Sequence, residues 1–501
     1  MLGVTALHVL VGRTDWGSIL PELIVGGAVL LLLLADVFIT ERRIEVTTGI
    51  SLVALVAAFV ACMNLWHTGQ PFAFYGMVSS DRFSIFFDYV ILLSAFLAVL
   101  LSPSYIERSG FDPGDYYALL LASTTGMMLM AASISLIMIF LSLELLSLAL
   151  YILSGFARSS PRSQEAGFKY FLLSSFASAF LVYGMALIYG ATGSTQLYFI
   201  GACLHGFPYC QAAAATSPLL YVGIGLMAVG FAFKVSVVPF HMWTPDVYEG
   251  APTPITAFMS VTTKAAVFAA FMRVFNFTFA TVSSRWFGLI WALAIVTMIV
   301  GNVIALSQTN MKRLLAYSGI AHAGYLLVAL SANSAAGETA VAFYFLAYLF
   351  MNIGAFILVS VLESRGEAGD EIATYRGLWY RNPALAAATA VFMFSLAGFP
   401  PTAGFFAKYL VFLSAVQSGH TELAIIGVIA SLISMAYYLR VVAVMFMQAE
   451  GEARPEAPIP GAADIAMAAT VAGSIGLGIL PTGFFNLATQ GVDAIRTIFG
   501  L

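Results

Sequence analysis

Residues 230–258, GFAFKVSVVPFHMWTPDVYEGAPTPITAF, place Lys234 just before Pro239 and then bring three more prolines into one turn-rich stretch. Proline removes a backbone donor and clashes with the preceding helical turn, so the sequence predicts a helix that breaks here. Irregular backbone at membrane depth is tolerated only where protein or a water-filled cavity surrounds it. The break therefore predicts a hydrated interior site beside Lys234.

A second stretch has the same arrangement later in the chain. Residues 395–412, SLAGFPPTAGFFAKYLVF, place two adjacent prolines ahead of Lys408. On the predicted helix count, Lys234 lies on the seventh helix and Lys408 on the twelfth, while Glu144 and His322 lie on the fifth and the tenth. An odd offset means that paired segments run in opposite directions, which predicts an inverted repeat of about five helices with broken seventh and twelfth helices. The alternative is that proline and glycine are simply common in transmembrane helices.

The composition is that of a membrane protein. The 501 residues are 61% hydrophobic and only 9% charged, whereas an ordinary soluble domain has about 25% charged residues. Apolar runs of about 20 residues, enough to cross a hydrocarbon core of ~30 Å, recur along the chain. The sequence predicts an all-α, polytopic membrane protein with about fourteen transmembrane helices. The predicted divisions are an N-terminal three-helix segment (1–115), a first five-helix repeat (116–277), a second repeat (286–447) and a C-terminal helix with a tail (448–501).

Charge and cysteine content exclude several classes of function. The net charge is −4 and no long run of lysine or arginine occurs, so nucleic acid is not an expected partner. The cysteines Cys62, Cys203 and Cys210 are too few for an iron–sulfur cluster, and no metal-ligand spacing is present. We therefore expect no cofactor, no metal and no redox centre in this chain. Whether Cys203 and Cys210, which share one predicted loop, form a disulfide or remain free thiols is left open by the sequence.

The basic residues between the predicted spans are unevenly distributed, which predicts the orientation. By the positive-inside rule, the richer side is cytoplasmic and both termini face the opposite, periplasmic compartment. The richer side carries Arg42, Arg43, Arg108, Arg158, Arg162, Lys169, Lys312, Arg313, Arg365, Arg376, Arg381, Arg440 and Arg454, and the poorer side carries Arg13, Arg82, Arg273, Arg285 and Arg496.

Four ionisable residues lie well inside apolar spans: Glu144, Lys234, Lys264 and Lys408. A charge at the centre of a transmembrane helix costs roughly 2.5 to 3.5 kcal/mol, so such residues usually mark an ion or proton path. We expect Glu144 to pair with Lys234, because a lone buried carboxylate would take up a proton instead. His322 titrates at a useful pH and either relays protons or is hydrogen-bonded in the bundle interior. The alternatives are lysines that extend to a membrane surface and a neutral glutamic acid that serves packing.

Other acidic residues have simpler explanations. Glu22, Asp36 and Asp88 lie near predicted span ends, where interfacial solvation or helix-end hydrogen bonding accounts for them. The sequence therefore assigns them no role in ion transfer.

Several segments resemble the antiporter-like membrane subunits of respiratory complex I, the NADH:quinone oxidoreductase. They lie between about residue 130 and residue 412, and the PFHMWTPDVYEGAPTP run is the most specific of them. Lys408 favours one branch of that family, because another branch characteristically carries glutamate there. The segments are SLELLSLALYIL, FKVSVVPFHMWTPDVYEGAPTP, the helix with Lys264, MKRLLAYSGIAHAGYLL and SLAGFPPTAGFFAKYL.

The resemblance implies a non-redox, proton-translocating subunit that is coupled to NADH:quinone electron transfer in its partner subunits. It implies that Glu144 and Lys234 set proton affinity, that Lys264 is the central relay, and that Lys408 lies towards the periplasmic side. The implied location is the bacterial inner membrane. The implied partners are the other membrane subunits of the complex, including neighbouring antiporter-like subunits, and the lipid bilayer.

Three other readings stay open at this point. The chain fits a subunit of a Mrp-type cation/proton antiporter, or an antiporter that works alone. It also fits a structural spacer whose buried charges serve helix packing. The sequence does not separate Na⁺ from H⁺ as the transported ion.

Overall fold

The structure is a computed structural model that describes residues 15–39, 41–206, 214–364, 369–447 and 461–501. Within these ranges the chain is α-helical, and β-structure is restricted to isolated bridges such as Ser135 with Gln196. The helices are α1 (Leu20–Phe38), α2 (Arg43–Thr68), α3 (Arg82–Ser109), α4 (Pro113–Ala132), α5 (Leu136–Ser154), α6 (Pro161–Thr192), α7 (Leu197–Leu204), α8 (Pro218–Lys234), α9 (Trp243–Gly250), α10 (Thr253–Met272), α11 (Ser283–Ala305), α12 (Met311–Ser331), α13 (Ala335–Ser364), α14 (Leu378–Arg381), α15 (Pro383–Ala397), α16 (Ala403–Gln417), α17 (Thr421–Met447), α18 (Gly461–Ile479) and α19 (Pro481–Phe499).

The helix lengths fit a polytopic membrane protein. In the described residues, 11 helical stretches are long and apolar enough to cross a membrane. Three shorter apolar helices accompany them, namely α8, α15 and α16. The predicted all-α membrane fold is therefore confirmed, while the count of about fourteen spans and the inverted repeat remain predictions.

Both proline-rich stretches interrupt their helices, as their sequences predict. The helix α8 ends at Lys234, and α9 begins only at Trp243, beyond Pro239. In the second half, α15 ends at Ala397 and α16 begins at Ala403. Gly398 lies between them with φ of +91°, a conformation that residues with a Cβ rarely adopt.

The C-terminal region contains a third interruption, which the sequence did not indicate. The predicted helix and tail are two helices, α18 and α19, that meet at Leu480 and Pro481. A Cβ placed on Gly478 would lie 2.0 Å from the carbonyl oxygen of Pro401, so this part of α18 packs directly against the second proline-rich break. Gly491 of α19 packs in turn against the first turn of α3, beside Arg82.

Burial is greatest at the middle of the bundle. Every residue of α10 is buried, and α12 is almost as enclosed, whereas α1, α2, α6 and α17 expose many leucine, valine and phenylalanine side chains. The helix that carries Lys264 is therefore the centre of the protein.

Several charged residues are more deeply buried than their positions in the sequence suggested. Arg273, which lies near the end of a predicted span on the poorer side, falls in a π-helical stretch that continues α10 and pairs with Asp81 at 2.9 Å, with both side chains almost fully enclosed. Glu22 and Asp88 lie near the starts of α1 and α3, as expected, but they are only 5% and 3% exposed, so interfacial solvation does not account for them. Asp36 alone behaves as expected, since it bonds Arg43 at 2.6 Å at a helix end. Hydropathy indicates where these helices begin and end, but it does not show how neighbouring helices cover their ends.

Candidate functional site

Lys234 lies in a pocket of hydroxyl groups. It is the last residue of α8 and is 2% exposed. Its Nζ donates to Ser147 Oγ of α5 at 2.7 Å, to Tyr151 OH at 3.4 Å and to Ser174 Oγ of α6. The amine also lies 5.5 Å from the centre of the Tyr151 ring and 5.7 Å from that of Tyr170, within cation–π range. The side chain is therefore solvated by protein and does not extend to a membrane surface.

Glu144 does not form the expected direct ion pair with Lys234. It lies on α5 one turn before Ser147, and its Oε1 accepts a hydrogen bond from Ser178 Oγ of α6 at 2.6 Å. The charges still attract through space. Glu144 is half-buried, and its α5 neighbours Leu141, Leu145 and Leu148 are 55%, 39% and 53% exposed. The pair is indirect because the carboxylate lies on the outer side of α5, with a layer of serine hydroxyls between it and the amine.

Lys264 lies at the centre of the protein and contacts the backbone of α12. It is 2% exposed, and its Nζ donates to the carbonyl oxygen of Gly319 at 2.7 Å. A Cβ on Gly319 would lie 2.7 Å from Lys264 Nζ and 3.1 Å from Tyr348 OH. Glycine at this position therefore lets both polar groups lie close against α12.

His322 is held by tyrosine hydroxyls one turn further along α12. Its Nδ1 lies 2.5 Å from Tyr344 OH of α13, and its Nε2 lies 3.2 Å from Tyr438 OH of α17. The Tyr348 ring is 5.1 Å from the imidazole ring, measured between centres. The imidazole thus lies between Tyr348, whose hydroxyl is close to the Lys264 site, and α17, which carries Ser431 of the Lys408 site.

Lys408 lies at the second break. Its Nζ donates to the carbonyl oxygen of Ala397, the last residue of α15, at 3.0 Å and to Ser431 Oγ of α17 at 2.9 Å. The amine also lies 5.2 Å from the centre of the Tyr325 ring. The C-terminal end of a helix carries a partial negative charge, so α15 stabilises this ammonium.

One face of α12 connects these groups. Gly319, His322 and Tyr325 follow one another at intervals of three residues and contact Lys264, the tyrosine pair and Lys408 in turn. Six residues of helix span ~9 Å. The structure therefore brings together Lys264, His322 and Lys408 in the second half, and Glu144 with Lys234 in the first half.

A cluster of ion pairs joins the two halves at the side predicted to be cytoplasmic. Asp246 of α9 contacts Lys169 of α6 and Arg313 of α12, each at 2.8 Å, and Arg313 also contacts Glu249 at 2.8 Å. Burial acts to raise the pKa of Asp246, but the hydrogen bonds and charges of Lys169 and Arg313 outweigh it and hold this pKa below its ordinary value. These basic residues, assigned to one side by sequence, do lie together.

Some residues of the site were not identified from the sequence. The sequence assigned no role to Ser147, Ser174 or Ser178, nor to the tyrosines around His322. A signal was present in the spacing, because Tyr325 follows His322 by three residues and Tyr344 precedes Tyr348 by four, so each pair shares a helix face.

The structure adds two observations on metals and thiols. In the part of the chain that it describes, no group of three or more histidine, cysteine or acidic side chains is arranged to hold a metal ion. Cys62 is free and buried, Cys203 is disulfide-bonded, and Cys210 lies outside the described residues.

Comparison with known proteins identifies relatives over almost the whole chain. The sequence model of the NADH:quinone oxidoreductase/Mrp antiporter transmembrane family matches residues 133–434. NADH-quinone oxidoreductase subunit N of Trichlorobacter lovleyi is 46% identical over 477 residues, which is 95% of this chain and 97% of the relative. NADH-quinone oxidoreductase subunit N 1 of Herpetosiphon aurantiacus is 44% identical over 462 residues, 92% of this chain and 93% of the relative.

Solved structures show the same fold. A chain of respiratory complex I from Thermus thermophilus with bound aureothin superposes with a TM-score of 0.77 at 34% identity, covering 94% of this chain and 99% of that one. A chain of the Mrp complex from Dietzia sp. has a TM-score of 0.81 at 22% identity, covering 97% and 99%, which shows a common fold. The chain is therefore a multi-pass membrane protein that belongs to the NADH:quinone oxidoreductase/Mrp antiporter family.

Proposed function

We propose that this chain is a proton-translocating membrane subunit of a complex I-type NADH:quinone oxidoreductase, in which Glu144, Lys234, Lys264, His322 and Lys408 carry protons and partner subunits carry electrons. The central observation is that the ammonium groups of Lys234, Lys264 and Lys408 are enclosed in the protein and bonded to hydroxyl or carbonyl groups. A buried lysine without a carboxylate in direct contact can exchange its proton more readily than one held in a close ion pair.

Groups without protein partners support a hydrated connection around Lys264. Thr263 Oγ1, Asn352 Oδ1 and Tyr348 OH are buried and have no hydrogen-bond partner among the described residues. Buried polar atoms of this kind normally bond ordered water. Water beside Lys264 would allow its proton to reach Tyr348 and His322.

The position of Glu144 supports control of Lys234 from outside the chain. Glu144 and Lys234 do not touch, but their opposite charges attract through space. Glu144 lies at the outer face of α5, where a neighbouring subunit can move this carboxylate or form an ion pair with it. Either change weakens the attraction between Glu144 and the Lys234 ammonium, so that Lys234 releases its proton more readily. The proton then moves to the next group, which is how electron transfer elsewhere in the complex can drive transfer here.

The proposal includes the environment of the chain. We place it in the bacterial inner membrane beside other antiporter-like subunits, with both termini on the periplasmic side. The grouping of Lys169, Arg313 and Asp246 on one side supports this orientation. Cysteine labelling of residues in the α3–α4 and α6–α7 connections from each side of intact vesicles would test it.

The test compares lysines inside and outside the path. Lys234→Met and Lys264→Met are expected to lower NADH-driven proton pumping in liposomes at least tenfold, while the complex assembles and NADH oxidation persists with an uncoupler. Lys169→Met is the matched control, since Lys169 is a partly exposed lysine in the ion-pair cluster. Normal pumping by assembled Lys234→Met and Lys264→Met complexes would refute the relay, and failure of assembly with all three would favour the structural spacer.

Cation/proton antiport is a second candidate function, favoured by the shared fold with a chain of the Mrp complex. It predicts exchange of Na⁺ or K⁺ for H⁺ by the purified complex in liposomes without NADH. Exchange that requires neither NADH nor quinone would replace the first proposal.

A further inference from the structure

A narrow apolar trough runs along the outer surface of the bundle, away from the lysine path. It lies between α2, α3, α13 and α19 and has a volume of about 540 Å³. Its wall is hydrophobic except for His67 at one end, and several of its residues are partly exposed. The residues that define it best are Phe59, Met63, Tyr89, Val90, Leu346 and Phe484.

The trough and the start of α3 beyond it together span about one leaflet of a bilayer. On α3 it follows a single helix face, from Phe86 through Val90 to Leu93. Leu93 lies eleven residues from Arg82 at the helix start, ~16 Å at 1.5 Å per residue. This is about half of the ~30 Å hydrocarbon thickness.

The end of the trough at the start of α3 is polar and basic. Trp66 and His67 line both the trough and an adjoining cavity of about 260 Å³ that also contains Arg82 and Ser80. Arg82 Nε donates to the Trp66 carbonyl at 3.1 Å, and its guanidinium lies 5.8 Å from the centre of the Trp66 ring. Its terminal nitrogens make no bond with the described residues, because the adjacent carboxylate of Asp81 is bound by Arg273.

We propose that this trough is a phospholipid-binding site, with one acyl chain between α3 and α19 and the phosphodiester bound by Arg82 and His67. Arginine bonds phosphate oxygens through paired N–H groups, and tryptophan is favoured at the membrane interface. The lipid fills a surface groove where α2, α3, α13 and α19 meet, so it contacts both the N-terminal and the C-terminal parts of the bundle. The site is independent of the lysine path and of the proposed function.

The experiment uses the intact purified complex in liposomes with a phosphatidylglycerol that carries a diazirine on its acyl chain. After illumination, mass spectrometry locates the labelled peptides. In the unmodified complex we expect labelling on α2, α3 and α19 at trough residues. Arg82→Gln is expected to lower this labelling about fivefold, the effect of one basic residue at an anionic surface. Met63→Trp, which fills the trough from an exposed position, is expected to remove it.

Arg285→Gln is the matched control. Arg285 also lies at a helix start with its guanidinium over an aromatic ring, that of Tyr221 at 5.2 Å, but it does not line the trough. Labelling of the trough should be unchanged in this variant. Equal labelling in the unmodified, Arg82→Gln and Met63→Trp complexes would overturn the proposal. So would the absence of label from the trough peptides of the unmodified complex. If Arg82→Gln prevents assembly, Met63→Trp decides the question.

Discussion

The two broken helices each have a buried lysine beside them, but the groups that solvate the two amines differ. Lys234 bonds three hydroxyls, those of Ser147, Tyr151 and Ser174. Lys408 bonds one backbone carbonyl, that of Ala397, and one hydroxyl.

The difference bears on what each site can do after its proton leaves. A hydroxyl can rotate and donate a hydrogen bond to a neutral amine, whereas a carbonyl oxygen can only accept. The Lys234 site therefore accommodates both protonation states with small rotations. At Lys408 the end of α15 stabilises the charged state specifically, so release of its proton requires movement of the break or entry of water.

The largest effect on proton pumping is expected at Gly319, where the contact between the Lys264 amine and the carbonyl oxygen leaves little room for a side chain. Gly319→Ala would place a methyl group against Lys264 Nζ and Tyr348 OH, and the flexible lysine would have to move away from its carbonyl partner. A hydrogen bond to a charged group contributes about 1.5 to 3 kcal/mol, so proton pumping should fall roughly tenfold or more. The measurement is NADH-driven acidification of liposomes that contain the complex.

The control for Gly319→Ala is Gly288→Ala. Gly288 is a helical glycine of α11 with open space where its Cβ would be. Equal pumping by the two variants would show that the contact over Gly319 does not matter for transfer.

A smaller effect on pumping is expected from serine variants, which compare the Lys234 site directly with the Lys408 site. Ser431→Ala leaves Lys408 with only its carbonyl partner, whereas Ser174→Ala leaves Lys234 with two hydroxyls. We expect pumping to fall about fivefold in the first variant and about twofold in the second, less than the full contribution of a hydrogen bond to a charged group because the other partners of each amine remain. Ser175→Ala, which removes an exposed hydroxyl bonded to its own helix, is the control. The reverse order of the two effects would contradict the comparison.

The smallest effect concerns the ion pairs that hold the two halves together. Because the folded-state pKa of Asp246 is lowered, its ionised form contributes stability above its unfolded pKa, and this contribution is lost as pH falls through the lower folded value. The partly exposed pairs should contribute about 1 kcal/mol or less. Thermal unfolding of the complex should show a deficit for Asp246→Asn at pH 7 that shrinks below about pH 4. A deficit that does not change with pH would indicate a packing effect instead.

The buried lysines and the breaks beside them could be predicted because they depend on local chemistry. A lysine in an apolar run and a proline inside a helix each carry a cost that is visible in the sequence. The predicted positions of Lys234, Lys264 and Lys408 within the bundle agree with the structure. Their roles in proton transfer remain predictions.

The partners of those lysines could not be predicted, because they depend on how helices rotate against one another. Glu144 and Ser147 are three residues apart, and only the packing of α5 on α6 decides that the serine contacts Lys234 and the carboxylate lies outside. The burial of Arg273 and the helix α19 depend in the same way on contacts between distant parts of the chain.

The contact of Gly478 with the Pro401 carbonyl has a mechanical consequence. Since backbone meets backbone there, no side chain separates α18 at Gly478 from the break between α15 and α16. A tilt of α16 must carry α18 with it. Motion at Lys408 is thereby linked to the last helices of the chain, whose far end rests on α3.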